Sequence, residues 1–139
     1  MLTWMLMPYR RYAEFGGRSQ RAEYWYYSLF LFLVSLVFTA IFGHVVETHT
    51  VNFMSYNYGV TGVPGIVLNL FNLASLIPSL AVGVRRLHDQ DRSGWLLLLI
   101  LLPVLGWFAL FVLFCLDGTH GANTYGPDPK HTSDVDAFS

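Results

Sequence analysis

Residues 85–93, RRLHDQDRS, gather the side chains of this sequence best suited to chemistry. Arg85, Arg86 and Arg92 carry planar guanidinium groups that can grip a phosphate or carboxylate through paired N–H bonds, and Asp89 and Asp91 carry the charge to neutralise them. His88 beside Asp89 or Asp91 has the makings of a general acid or base with an orienting partner. No nucleophile accompanies that pair, and the further histidines and carboxylates of a metal-dependent phosphohydrolase are absent, so catalysis ranks below anion binding. A second charged group, Arg18, Arg21 and Glu23, lies far upstream.

What must position these residues follows from composition. Of the 139 residues, 54% are apolar and only 12% are charged. Soluble domains carry about 25% charged residues, so this chain lacks the polar surface to cover a water-soluble globule. The sequence predicts an all-α integral membrane bundle forming a single domain over 1–130, with a disordered tail at 131–139. The single cysteine, Cys115, lies in an apolar run as a small hydrophobe.

Three uncharged stretches are each long enough to cross a hydrocarbon core of about 30 Å. The first, 24–43, opens with Tyr24, Trp25, Tyr26 and Tyr27, rings that settle at headgroup depth. Ser19 is a candidate N-cap for it. Before it, the spacing of Tyr12 and Phe15 against Arg10, Arg11 and Glu14 predicts a short interfacial helix starting at Pro8. Residues 44–62 form a polar connection without Lys or Arg, in which the spacing of His44, Glu47 and His49 matches no established metal site.

The second stretch, 63–84, carries Gly65, Asn69, Asn72, Ser75, Ser79 and Gly83 at helical intervals. This face should pack against protein, since an unpaired amide in hydrocarbon is costly. Pro78 should bend the helix. The third stretch, 95–116, is interrupted by Pro103 and Gly106. A kinked third crossing is the first expectation; the alternative is a re-entrant hairpin turning at 103–106, with arms shielded by protein.

Every Lys or Arg except Lys130 lies in 10–21 or 85–92. Positive-inside counting therefore predicts a cytoplasmic N-terminus and a cytoplasmic charged segment, with the tail outside if there are three crossings. Residues 118–129 are rich in turn formers and can be ordered by packing on the membrane domain.

Three segments together resemble one family: FGGRSQRAEYW at 15–25, PSLAVGVRRLHD at 78–89 followed by RSGW at 92–95, and GANTYGPDP at 121–129. They are similar to the motifs of the domain of unknown function 805 family, small bacterial inner-membrane proteins. The resemblance runs from about Trp4 to Lys130 and departs at Pro8 and after Lys130. It implies an inner-membrane location and no particular activity.

If the charged segments share one interface, Arg18, Arg21, Glu23, Arg85, Arg86, His88, Asp89 and Arg92 form one ion-paired cluster suited to an anionic lipid headgroup or a partner. The leading functional expectation is an interaction or scaffold protein, self-associating or joined to another membrane protein through Asn69, Asn72, Ser75, Ser79 and Gly83. An oligomeric channel or transporter component comes second, weakened because no charge lies within the spans. An enzyme acting on a lipid headgroup at His88 comes third. No cofactor motif is present, and the few basic residues are explained by topology and lipid, not nucleic acid.

Overall fold

A computed structural model describes residues 2–50 and 53–130, with the backbone alone for 45–50 and 53–58. The tail expected to be disordered at 131–139 lies outside the described residues. In chain order the elements are α1 (Leu2–Arg10), α2 (Arg21–Phe42), strands β1 (His44–Thr50) and β2 (Phe53–Gly59), α3 (Gly62–His88), a 3-10 helix (Gly94–Leu101) and α4 (Leu105–Cys115).

Helices α2 and α3 are the two elements long and apolar enough to cross a membrane, with mean hydropathies of 2.0 and 1.8 over their most apolar windows. Only 6% and 28% of those windows are buried, so their apolar side chains face outward. That pattern suits helices solvated by lipid and would be untenable for the core helices of a soluble protein. Between them, β1 and β2 pair antiparallel from His44 opposite Gly59 to Thr50 opposite Phe53. The expected polar connection is therefore a hairpin; its alternation of β-branched and aromatic residues, such as Val46, Thr48, Tyr56 and Tyr58, favours extended pairing. Outside it the all-α expectation stands.

The N-terminal helix differs from the expected one. It ends at Arg10 and contains Pro8, which is buried, instead of starting there. Its last turn is fixed by packing: the Tyr9 ring meets Tyr27 and Phe30 edge-on, and the Tyr9 hydroxyl lies 2.5 Å from Ser75 Oγ. Tyr12, just beyond the helix, solves a problem that Pro78 creates. Proline has no N–H, so the carbonyl four residues back in α3, that of Ala74, loses its helical donor. The Tyr12 hydroxyl donates to that carbonyl at 2.6 Å.

The third apolar run is not one helix. The 3-10 helix has 8 residues and α4 has 11. Each is therefore about 16 Å long, roughly half the hydrocarbon thickness. Between them Val104 adopts φ 65 and ψ −67, and Leu105 N–H donates to the Pro103 carbonyl at 2.8 Å. This is a γ-turn of the strained kind, which reverses the chain within three residues. The Trp107 indole N–H donates across the turn to the Ile100 carbonyl at 2.9 Å. Gly106 is required by the close approach: a Cβ there would overlap the Leu99 carbonyl. A kinked third crossing helix is thus absent among the described residues, because the turn chemistry at 103–106 breaks the helix instead of bending it.

The Tyr12 arrangement yields a double-mutant test. Tyr12→Phe should lower the stability of the detergent-solubilised protein by about 1 kcal/mol. In a Pro78→Ala background the backbone N–H restored at position 78 should satisfy the Ala74 carbonyl, and the same substitution should have almost no effect, a coupling measurable by thermal unfolding.

Candidate functional site

The last turn of α3 delivers Arg85, Arg86 and Asp89 to a point where the segment before α2, the end of α4 and the tail converge. Arg85 and Arg86 are 0% exposed, Glu23 2%, Asp89 3% and Arg18 6%. Guanidinium groups so deeply buried persist only when they are hydrogen-bonded, and here every guanidinium nitrogen has at least one acceptor.

Arg18 uses all five of its N–H donors. Its Nε reaches Asp89 Oδ1 at 2.9 Å, Nη1 reaches the Gly121 and Gly126 carbonyls at 2.6 and 3.5 Å, and Nη2 reaches the Thr119 and Asp89 carbonyls at 2.6 and 3.4 Å. Arg85 donates to Glu23 Oε1 at 2.8 Å, to Ser19 Oγ at 2.8 Å, and to the Arg11 and Glu14 carbonyls at 3.2 and 2.8 Å. Ser19, expected to cap α2, serves Arg85 instead, and Gln20 occupies the N-cap without a side-chain bond.

Arg86 explains where the third run ends. A helix leaves its final carbonyls without intrahelical donors and with partial negative charge. At the end of α4, Gln90 Nε2 donates to the Leu113 carbonyl, Arg86 Nε to Phe114 at 3.4 Å, Arg21 Nη1 to Cys115 at 3.3 Å and Arg86 Nη2 to Leu116. Arg86 Nη1 also holds Asp89 Oδ2 at 2.6 Å. Three buried guanidinium groups face two buried carboxylates, and the negative end of α4 offsets the remaining charge.

The tail docks on the same point. Thr119 N–H donates to the Asp89 carbonyl at 2.8 Å, and Asn123 Nδ2 to the His88 carbonyl at 2.9 Å. Gln20 Nε2 donates to the Pro129 carbonyl at 2.7 Å, and Tyr125 stacks on His88 with ring centres 3.9 Å apart. Gly118 passes so close to Asp89 that a Cβ would collide with the carboxylate.

At the margin, Arg21 pairs with Asp117 at 2.6 Å, and Lys130 approaches the same carboxylate at 3.3 Å. Lys130, hydrogen-bonded to it, and Arg21 hold the Asp117 carboxyl below its ordinary range. That contribution is present above the ordinary carboxylate value and is lost as pH falls through the depressed one. Arg11 likewise lowers Glu14 through a direct side-chain hydrogen bond.

A model of the family described as "Protein of unknown function (DUF805)" matches residues 12–127. The chain belongs to the DUF805 family. "Inner membrane protein YhaH" of Escherichia coli (strain K12) is 36% identical over 129 residues, covering 93% of this chain and 98% of that protein. "Inner membrane protein YhaI" of the same strain is 39% identical over 132 residues, covering 95% and 99%. No solved structure matches the chain. With two candidate spans and inner-membrane homologues over nearly its full length, this DUF805 protein is an inner membrane protein.

The stretch matched by the DUF805 family takes in nearly every partner of the cluster. Of the eight charged residues singled out in the sequence, Arg18, Glu23, Arg85, Arg86 and Asp89 meet in its buried centre, and Arg21 borders it. His88 faces Tyr125, while Arg92 is exposed and its guanidinium has no partner among the described residues. On α3, Ser75 is buried under Tyr9 and accepts in helix register from Ser79, and Gly83 abuts Leu97. Asn69 and Asn72 are exposed. Sequence reasoning missed the roles of Gln90, Asn123 and Tyr12, whose partners lie far away in the chain; only the missing N–H of Pro78 signalled that a distant donor was needed.

Removing one partner from this cluster should expose its energetics. Asp89→Asn leaves Arg18 and Arg86 buried with no carboxylate between them, and about 3–5 kcal/mol of stability should disappear. Asp117→Asn, at the exposed margin, should leave the unfolding midpoint of the purified protein nearly unchanged. Equal effects of the two substitutions would contradict a buried, internally neutralised cluster.

Proposed function

We propose that this inner-membrane protein is a non-catalytic interaction module: a two-span hairpin locked at one face by its arginine cluster, which associates with further copies of itself through the other half of α3. The third apolar run is then a re-entrant hairpin. Its support is that both ends lie near Asp89, one beginning at Gly94 a few residues after it and the other bonded to Arg21, Arg86 and Gln90. This topology also puts Lys130 on the same side as every arginine, in better accord with the positive-inside rule than three crossings.

The observation that carries self-association is the state of Asn69 and Asn72. Both are exposed on a membrane helix, and among the described residues neither amide has a partner. The small-residue face of Ser75, Ser79 and Gly83 is already used within the chain by α1, α2 and the 3-10 helix. An asparagine amide offers both donors and an acceptor, so the same amide on a second copy is a matching partner. Every guanidinium nitrogen of Arg18, Arg85 and Arg86 is already bonded within the chain, which argues against catalysis there.

Energy transfer between differently labelled copies in liposomes tests this. Replacing Asn69 and Asn72 together with Leu should weaken association roughly tenfold, as expected for interhelical bonds of about 1–2 kcal/mol. Unchanged association would reject the interface. Reaction of an Asn72→Cys variant with small aqueous thiol reagents at the rate of a surface cysteine would favour a hydrated path, as in a channel component.

A further inference from the structure

The outer wall formed by α3 and the 3-10 helix holds a groove of about 640 Å³, within the range of roughly 300–1,000 Å³ that ligand sites occupy. Leu80, Val84, Leu97 and Ile100 line its deep end, and His88, Ser93 and Tyr125 its mouth. From His88 to Leu80 is about 12 Å along α3, so the groove descends from headgroup depth into the hydrocarbon layer. A second groove of about 680 Å³, beside Trp25, Trp107 and Phe111, is lined by apolar and aromatic residues with Ser28 and has no histidine in its lining.

His88 and Ser93 line the mouth of the first groove, and Arg92 precedes Ser93 in the chain. Arg92 adjoins Ser93, is exposed, and is unpaired among the described residues, in contrast to Arg18, Arg85 and Arg86. Ser93 Oγ accepts from the Trp95 N–H at 3.4 Å, which leaves its hydroxyl hydrogen free to donate. His88 Nδ1 is buried and has no hydrogen-bond partner. The nearby carboxylate of Asp91 is turned to the tail, accepting from Thr124 N–H at 3.2 Å.

We infer that this groove binds one anionic glycerophospholipid of the surrounding membrane, its acyl chain along Leu80, Val84 and Leu97 and its phosphate at Arg92 and Ser93. An unpaired guanidinium next in the chain to the mouth of an apolar groove matches a lipid's phosphate in charge, and the groove matches its acyl chain in shape. The inference goes beyond self-association and uses the opposite end of α3, so the two can fail separately.

Native mass spectrometry of the intact protein, released from detergent containing equal amounts of phosphatidylglycerol and phosphatidylcholine, tests it. One phosphatidylglycerol per chain should be retained in preference to phosphatidylcholine by roughly fivefold, the effect expected of one basic residue near a headgroup. Arg92→Gln should abolish the preference, and Arg10→Gln, which removes an exposed cation elsewhere, should preserve it. Filling the groove with Leu80→Trp should reduce retention of both lipids; if that variant does not fold, Val84→Phe serves the same purpose. Equal retention of the two lipids by the wild-type protein, or an undiminished preference in Arg92→Gln, overturns the proposal. So does a wild-type dimer that Leu80→Trp dissociates, since a second copy would then be the occupant.

Discussion

Asp89 is the group on which the remaining structure depends. Its Oδ1 holds Arg18 and its Oδ2 holds Arg86, while its backbone carbonyl receives Thr119 from the tail. One residue thus connects the segment before α2, the end of α3, the cap of α4 and the C-terminal turns. Burial makes such connections hard to replace: each guanidinium nitrogen must find an acceptor in the chain, because water does not reach it. Folding of the polar segments onto one another therefore holds the two candidate spans together.

The same constraint explains why a protein this apolar needs so many motif residues outside its spans. Two helices facing lipid gain little from apolar contact with each other, since lipid solvates them equally well. Specificity has to come from polar groups. In this chain it comes from Glu23 on Arg85, from the tyrosines of the N-terminal segment on Ser75 and Ala74, and from the donors that close the end of α4.

Much of this was legible in the sequence and some was not. The two spans follow from hydropathy, a local property. The meeting of Arg18, Glu23, Arg85, Arg86 and Asp89 follows from placing charged segments at one interface. The third run was ambiguous, because Pro103 and Gly106 suit a kink and a reversal alike. What separates the two is the long-range bonding of the Leu113 to Leu116 carbonyls to Gln90, Arg86 and Arg21, which no local pattern encodes. Ser19 illustrates the same limit. Its residue type favours an N-cap, yet a buried arginine elsewhere in the chain needed its hydroxyl more. The pairing of β1 with β2 was hidden by the segment's polarity, although its alternation was there to see.

In the proposed topology the tail, the charged segment and the N-terminus share one face of the membrane. Thiol accessibility tests it directly in a Cys115→Ser background, with a single cysteine at Thr124, an exposed position in the docked tail, or at Arg10, exposed at the end of α1. A membrane-impermeant reagent should label neither site in intact cells and both after permeabilisation. Labelling of the Thr124→Cys protein in intact cells, with the Arg10→Cys protein still protected, would place the tail across the membrane and contradict the account.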